Sequence, residues 1–250
     1  MNNLREYSIA RARRLVLDWG FRILKPAKSK WMTRVRSEMD FWDAYLETKG
    51  LQWADEYNDR INPDFPMQPY VLELLPPESD VHVLDVGAGP LTYLGKKAPG
   101  KRIRITAVDA LAYEYDELLR KHGVDPPVRT QRLDAEGLTR RFSANTFDLG
   151  VARNCLDHAY KPERAVLQML AVVKRGRYVL LEHFRNEAET QNYAGLHQWN
   201  FDVSADGDFL IRSKSDVVNM TQKYARRCTI SVKLNTGNGM QWLFIRILKK

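Results

Sequence analysis

The stretch Val83-Leu84-Asp85-Val86-Gly87-Ala88-Gly89-Pro90 places an acidic residue and two glycines at the end of a short apolar run. The run over residues 81–86 predicts a buried β-strand. Glycines directly after a strand let the backbone approach a ligand closely. A helix is predicted over residues 91–98, and its N-terminus would offer free backbone N–H groups to the same ligand. A Gly-x-Gly turn alone is weakly specific, because dinucleotides, other nucleotides and simple tight turns all use it.

Strands and helices alternate after this stretch. Further strands are predicted at residues 102–109, 128–134, 147–153 and 178–183, with helices at residues 111–122, 136–142 and 163–174. Strands that alternate with helices in this way are typical of a doubly wound parallel sheet. The C-terminal third predicts a hairpin of residues 200–204 and 209–212, a helix at residues 215–224, and a second hairpin of residues 227–234 and 240–248 at one sheet edge. The predicted fold class is α/β, with a doubly wound, seven-stranded, mostly parallel sheet.

The N-terminal segment differs from the rest of the chain in charge. Of the 250 residues, 39 are Lys or Arg and 31 are Asp or Glu. Residues 1–36 hold ten of the basic and two of the acidic ones, so the other 214 residues balance at 29 of each. Apolar residues at helical spacing in this segment predict a basic amphipathic helix. Such a helix either packs on the main domain or a second subunit, or contacts an anionic membrane surface, with nucleic-acid binding the least favoured alternative.

Two regions are therefore expected: a helical N-terminal segment over residues 1–60 and a main domain over residues 61–250. Two short helices are predicted before the sheet, at residues 39–51 and 70–75, the second stopped by Pro76-Pro77. No apolar run approaches the roughly 18 residues of a membrane-spanning helix. Two cysteines cannot build a disulfide framework and suit a reducing compartment. The expected location is cytoplasmic, at the inner face of the membrane if residues 1–36 bind lipid.

Polar side chains also follow the next three predicted strands. Asp109 ends the second strand, twenty residues beyond Gly89, where a carboxylate can bind both hydroxyls of a ribose. Asp134 ends the third, where it can accept from an exocyclic adenine amine. Ligands bind beyond the carboxyl ends of parallel strands, so these residues are expected to share one cleft. The predicted cofactor-binding set is Asp85, Gly87, Ala88, Gly89, Asp109, Ala110, Asp134, Ala135, Arg153 and Asn154, with Arg60 available to a cofactor carboxylate or to a surface ion pair.

In their order and spacing these motifs resemble those of class I S-adenosylmethionine-dependent methyltransferases. Residues 84–89 resemble the first family motif, and Asp109, Asp134 and residues 147–158 resemble the next three. Residues 154–158 (Asn-Cys-Leu-Asp-His) and 162–165 (Pro-Glu-Arg-Ala) look most like the small-molecule members. Leu91 stands where many members have a third glycine. The likeness covers residues 60–250 and implies a Rossmann-like methyltransferase fold with S-adenosylmethionine as cofactor.

An NAD-dependent dehydrogenase of the same fold is the competing interpretation. Asp85 lies two residues before the first glycine, and Asp134 ends the third predicted strand. Both positions favour S-adenosylmethionine over NAD.

Methyl transfer is an in-line displacement, and a hydroxyl acceptor usually needs a general base. The candidate bases are His158 after the fourth predicted strand, His183 at the end of the fifth, and His197 in the insertion that follows. Each also has a purely structural interpretation, because an isolated histidine rarely acts as a base. Asp157, Glu182 and His183 offer ligands for a Mg²⁺ site, but ion pairs or helix caps explain the acids more simply, so no metal is predicted.

Tyr193, Trp199 and Asn200 are predicted to bind the acceptor by ring stacking and by hydrogen bonds to its hydroxyls. The alternative is that Trp199 and Phe201 pack one face of the first hairpin.

The predicted function is O-methylation of a small molecule or of a sugar of a bacterial surface glycan. An RNA methyltransferase that uses residues 1–36 for phosphate contact is one alternative. A non-catalytic S-adenosylmethionine-binding module is the other. Residues 37–250 carry no net charge, which makes nucleic acid the less favoured partner.

Overall fold

The computed structural model describes residues 35–237 and 240–250. The predicted amphipathic helix of the N-terminal segment therefore lies outside the described residues. In chain order the helices are α1 Val35–Glu47, α2 Ala54–Ile61, α3 Pro69–Leu72, α4 Ala112–His122, α5 Pro162–Val172, α6 Glu187–Thr190 and α7 Met220–Tyr224. The strands are β1 Asp80–Val86, β2 Arg102–Asp109, β3 Gln131–Arg132, β4 Phe147–Arg153, β5 Val173–Phe184, β6 Asn200–Val203, β7 Phe209–Arg212, β8 Val217–Asn219, β9 Cys228–Gly237 and β10 Met240–Lys249. Two 3₁₀ turns cover Ala135–Arg140 and Leu156–His158.

Seven strands form one sheet in the order β3-β2-β1-β4-β5-β10-β9. β10 runs antiparallel to both of its neighbours, and the other pairs in the sheet are parallel. This confirms the predicted doubly wound, mostly parallel sheet and its C-terminal hairpin at one edge. The chain leaves β1 toward β2 on one side and reaches β4 on the other, so a crevice opens at the carboxyl ends of β1 and β4.

Both faces of the sheet are covered, and neighbouring residues of β1 supply different cores. Val83 packs in a cluster with Val71 of α3, whereas Leu84 packs in a cluster with Val166 and Met169 of α5. Because side chains alternate along a strand, an unbroken apolar run buries residues on both faces. A third cluster joins α1 and α2 to the main domain, with Tyr45, Leu46, Tyr57, Leu91 and Leu119 as its buried members.

The prediction of a helix over residues 91–98 is wrong. This segment is irregular, and its backbone bonds to the chain before the sheet: Lys96 N donates to Phe65 O at 2.7 Å, and Met67 N donates to Lys97 O at 2.7 Å. These hydrogen bonds to a distant segment of the same chain replace those that a helix would make within itself. Gly95 permits the contact, since a Cβ there would overlap Pro66 O and Met67 N.

Smaller differences follow from local capping and pairing. The helix predicted over residues 215–224 begins only at Met220, because Val217–Asn219 pairs with β7 and the Asn219 side chain accepts from Gln222 N. The third strand has two residues instead of the seven predicted, and a 3₁₀ turn replaces the helix predicted over residues 136–142. The hairpin of β6 and β7 is as predicted.

Among residues 35–237 and 240–250, no helix is both long enough and apolar enough to cross a membrane.

Gly95→Ala tests the contact that displaces the helix. We expect the free energy of unfolding to fall by about 3 kcal/mol, because the added methyl meets backbone that cannot rotate away. Urea denaturation measures this change as a shift of the unfolding midpoint, provided that the denaturant dependence (the m-value) is the same in both proteins. Gly237→Ala is the matched control, since a Cβ there meets nothing within 4 Å. Equal midpoints for the two variants would contradict the packing described.

Candidate active site

A cleft of about 800 Å³ lies at the carboxyl ends of β1, β2, β4 and β5 and is closed on one side by α1 and α2. This volume lies within the range of small-molecule sites. All of the predicted cofactor-binding residues line it: Arg60, Asp85, Gly87, Ala88, Gly89, Asp109, Ala110, Asp134, Ala135, Arg153 and Asn154. The structure therefore brings the predicted set together, while the individual roles stay predictions.

The turn after β1 is shaped for close approach. Gly87 and Gly89 have φ angles of +69° and +63°, a left-handed conformation that favours glycine. A Cβ on Gly89 would lie 2.6 Å from Cζ2 of Trp42, so glycine allows α1 to lie directly on the turn. The turn does not offer a helix N-terminus. Instead, the N–H groups of Gly87 and Ala88 both donate to Val108 O.

Two buried carboxylates flank this turn. Thr92 Oγ1 donates to Asp85 Oδ2, while burial raises the pKa of Asp85 to about 6. Asp109 accepts from Gly89 N at 3.2 Å and from Leu111 N at 2.9 Å, one bond to each oxygen. Burial raises the pKa of Asp109 to about 7, although the two N–H donors lower it. Each Asp109 oxygen retains a second lone pair, so the pair of oxygens can accept two more hydrogen bonds from a ligand.

The acid after β3 is also held in place. Asp134 Oδ2 lies 3.0 Å from Nη2 of Arg140, at the far end of the adjoining 3₁₀ turn. This ion pair fixes the carboxylate at the cleft wall, where Ala135 adds an apolar surface beside it.

The first described helix, α1, covers this part of the cleft. Glu38 Oε1 accepts from Trp42 Nε1 at 2.7 Å and lies 3.5 Å from the Tyr115 hydroxyl on α4. Asp43 lies 2.7 Å from Lys121 Nζ and 2.6 Å from His122 Nε2, which ties α1 to the end of α4. Sequence reasoning did not identify Glu38 or Trp42 as cleft residues. Their spacing of four marks one helix face, but not the surface on which that face docks.

Two arginines close another wall. Arg60 Nη2 lies 2.6 Å from Glu56 Oε1, its Nη1 donates to Leu91 O, and Arg153 Nη1 lies 3.5 Å from the same Glu56 oxygen. Burial alone would raise the pKa of Glu56, but the charges of Arg60 and Arg153 outweigh it and the pKa is lowered. Arg60 thus makes the ion pair predicted as one alternative and still lines the cleft. Glu56 was not foreseen, because nothing in its local sequence places α2 over the sheet.

Three side chains converge beside the cleft: Asp157 and His158 from the turn after β4, and His197 from the insertion after β5. His197 Nδ1 lies 2.8 Å from Asp157 Oδ2, and His158 Nε2 lies 3.3 Å from the same oxygen. The two ring nitrogens lie 3.1 Å apart. Burial would raise the pKa of Asp157, but the neighbouring histidines, His158 first, lower it. Burial likewise opposes protonation of His158, yet Asp157 and Glu38 raise its pKa. Both histidines line the cleft, as predicted.

Two more carboxylates surround this cluster. Glu38 Oε2 lies 3.5 Å from His158 Nδ1, and Glu187 Oε1 lies 3.8 Å from His197 Nδ1. Burial, and then the charge of Asp157, raises the pKa of Glu187 to about 7. Asn154 Nδ2 donates to Glu187 Oε1 at 3.3 Å, which links this carboxylate to the end of β4.

The third candidate base, His183, is corrected by the structure. Its side chain is fully buried, and its ring stacks on Phe201 with centroids 4.0 Å apart. Burial lowers its pKa to about 4, so the ring is neutral. It does not line the cleft and belongs to the core between the sheet and the hairpin.

The predicted acceptor-binding set is corrected as well. Tyr193, Trp199 and Asn200 do not line the cleft. Asn200 is fully buried, accepts from Glu189 N at 3.0 Å and donates to the Tyr193 hydroxyl at 3.1 Å. Trp199 packs against the core, as its alternative interpretation stated. The insertion instead faces the cleft through Gln191, Leu196 and His197, while Phe184 and Trp242 supply aromatic surface.

The residues considered for a Mg²⁺ site do not meet. Glu182 accepts from the hydroxyls of Tyr93 at 2.6 Å and Tyr70 at 3.0 Å, whereas His183 points to the other sheet face and lies 4.0 Å from Asp157. Successive strand residues alternate in direction, so Glu182 and His183 cannot share one ion.

Residues 84–181 match the family model of a methyltransferase domain. The match covers 98 of the 250 residues, and over this segment the chain resembles a methyltransferase domain. The match begins in β1 and ends in β5, so it contains the strand ends that build the cofactor side of the cleft. Among curated protein sequences, none matches the chain significantly.

Several solved structures are similar to this chain. A Haloferax volcanii methyltransferase, in complex with the Trm112 methyltransferase activator, is 13% identical over 86% of this chain and 97% of its own, with a TM-score of 0.50. A Haemonchus contortus phosphoethanolamine N-methyltransferase is 14% identical over 72% of this chain and 51% of its own, with a TM-score of 0.48. The [4+2]-cyclase SpnF is 23% identical over 47% of this chain and 43% of its own, with a TM-score of 0.35. At these identities the likeness concerns the fold alone.

The cofactor predicted from the sequence motifs is S-adenosylmethionine. The polar residues of the cleft fit this cofactor, because Asp109 holds two hydrogen-bond acceptor oxygens at a fixed position beside the glycine turn. In related nucleotide sites, a carboxylate at the end of this strand accepts hydrogen bonds from ribose hydroxyls. Asp134 and Ala135 occupy the adjoining wall, where an adenine ring is expected.

Cofactor affinity is expected to depend on pH through Asp109. Only the ionised carboxylate accepts from both ribose hydroxyls, and its pKa is about 7. The affinity for S-adenosylhomocysteine should therefore fall about tenfold from pH 8 to pH 6, as the competent fraction falls. The groups that face Asp109 are Glu38 of α1, Tyr115 of α4 and His158. Calorimetry at constant ionic strength measures the affinity.

Asp109→Asn should bind more weakly and lose most of this pH dependence, keeping only a smaller contribution from Asp85. Asp125→Asn, at an exposed surface acid paired with Arg129, is the control and should keep the native profile. An identical profile in Asp109→Asn would show that another group controls binding.

Proposed function

We propose that the protein is an O-methyltransferase whose acceptor is a hydroxyl of a small molecule or of a sugar of a bacterial surface glycan. The observation that carries this proposal is the Asp157–His158–His197 cluster, whose two histidines line the same cleft as the predicted cofactor-binding residues. A hydroxyl is a poor nucleophile until its proton is removed, so an O-methyltransferase gains from a base that an orienting carboxylate holds in place.

We propose distinct tasks for the members of the cluster. Asp157 accepts from His197 Nδ1 at 2.8 Å, so the ring proton stays on Nδ1 and Nε2 is the basic nitrogen. Asp157 itself is buried, which makes its charge an effective partner for the imidazolium that forms when Nε2 takes a proton. His158 Nε2 lies 3.3 Å from the same Asp157 oxygen and so helps to hold the carboxylate in place.

When bound, S-adenosylmethionine supplies the electrophilic methyl group. The chain's own contribution is to hold the acceptor oxygen in line and to take its proton at His197 Nε2. Phe184 and Trp242, with ring centroids 3.9 Å apart, present an aromatic surface in the cleft that suits stacking on a sugar or a planar ring.

The charge of the cleft favours such an acceptor over RNA. The acids that line it outnumber the arginines: Glu38, Glu56, Asp85, Asp109, Asp134, Glu136 and Glu187 against Arg60 and Arg153. A surface of this sign attracts a sulfonium cofactor and repels a phosphate backbone. The RNA interpretation would depend on residues 1–34, which lie outside the described residues.

The experiment supplies methyl-labelled S-adenosylmethionine with three acceptor panels: nucleotide-linked and free sugars together with phenols, primary amines, and RNA oligonucleotides. We expect label in the hydroxyl panel. His197→Ala and Asp157→Asn should lower kcat by about 10²–10⁴-fold, because each removes proton transfer. Cofactor affinity, measured separately by calorimetry, should stay within about twofold of native.

His82→Gln is the control for loss of a histidine as such, since His82 lies in β1 away from the cleft and bonds Thr106. It should retain native kcat. Label only in amines or RNA, or cofactor binding without transfer to any panel, would overturn the proposal.

A further inference from the structure

The three ligand atoms of the Asp157–His158–His197 cluster are spaced like donors around a single ion. Asp157 Oδ2, His158 Nε2 and His197 Nδ1 are separated by 2.8, 3.1 and 3.3 Å. Donors bound to one Zn²⁺ at about 2.1 Å lie about 3.4 Å apart in a tetrahedron. The side chains therefore need only small shifts to coordinate the same ion.

Hydrogen bonding alone satisfies this arrangement poorly. A neutral imidazole carries one ring proton, so when His197 Nδ1 donates to Asp157 it cannot also accept from His158. In addition, Asp157 Oδ1 is buried without a hydrogen-bond partner. An unsatisfied oxygen on a buried carboxylate is costly, and coordination of a cation relieves that cost.

Neighbouring carboxylates complete the surroundings of such an ion. Glu187 is buried, its Oε2 has no hydrogen-bond partner, and its Oε1 lies 3.8 Å from His197 Nδ1, so it is the nearest further ligand. Glu38 Oε2 lies 3.5 Å from His158 Nδ1, the nitrogen that faces away from the cluster. A carboxylate at this second ring nitrogen is the usual means of orienting a metal-binding histidine.

We infer that Asp157, His158 and His197 form a binding site for a divalent transition-metal ion of the Zn²⁺ type, and that the ion and the general base exclude each other. The second part rests on the proposed function. Two imidazoles and one carboxylate favour Zn²⁺ over Mg²⁺, which prefers oxygen ligands. With Nδ1 of His197 on the ion, the ring proton resides on Nε2, which can then no longer accept the acceptor's proton.

Calorimetry with ZnCl₂ on tag-free, chelator-treated full chain tests binding without cofactor or acceptor. We expect one ion per chain, with no saturable binding in His158→Ala or His197→Ala, and about tenfold weaker binding in Glu38→Gln. His122→Ala is the matched control, because His122 also contacts a carboxylate, that of Asp43, but has no second histidine beside it. Binding that survives in His197→Ala, or that is lost in His122→Ala, would overturn the site.

Two further measurements separate the possible outcomes. With Co²⁺ in place of Zn²⁺, the absorption spectrum should show the visible bands of a cobalt ion bound by nitrogen and oxygen ligands. A thiolate charge-transfer band lost in Cys155→Ser would overturn the ligand set, since Cys155 also lines the cleft. In the transfer assay, Zn²⁺ should inhibit and a chelator should restore the rate, whereas activation by Zn²⁺ would overturn mutual exclusion. Zinc binding without any hydroxyl methylation would leave the site standing and remove the proposed function.

Discussion

The parallel pairing of β1 with both β2 and β4 is the constraint on which the cleft depends. Val83 lies opposite Ile105 on one side and Leu149 on the other, and all three strands run in the same direction. Their carboxyl ends therefore lie at one edge of the sheet, and the connections on either side diverge from it. Asp85, Asp109 and the residues after β4 meet because these strands are in register, although they are far apart in sequence.

Helix α1 turns this open crevice into an enclosed cleft. It approaches closely because Gly89 has no side chain to hold Trp42 away. The same helix carries Glu38, which accepts from Trp42 Nε1 and lies 3.5 Å from His158 Nδ1. The packing of α1 therefore positions residues near both Asp109 and His158. Substitutions that loosen this packing are expected to affect both parts of the cleft. The raised pKa of Asp109 follows from this enclosure, since burial is its principal cause.

Much of the fold and of the cofactor side could be predicted from local sequence. The strands Arg102–Asp109 and Phe147–Arg153 have the bounds that their apolar patterns predict. The acids and glycines at strand ends predicted which residues line one wall of the cleft, because a parallel sheet places all such ends at one edge. The failed helix after β1 shows the limit of this reasoning. Residues 90–99 have no local signal for the bonds that they make to Phe65 and Met67.

The sequence by itself determined the alternation of strands and helices, and with it the sheet and the group of residues that line its edge, since periodicity and turn chemistry act over a few residues. Only the tertiary structure decided which histidines face the cleft. His158 and His197 meet at Asp157, whereas His183, one of the predicted bases, stacks on Phe201 inside the core. The physical reason is that a side chain's environment depends on what packs against it from distant parts of the chain, here β6, α1 and the insertion after β5.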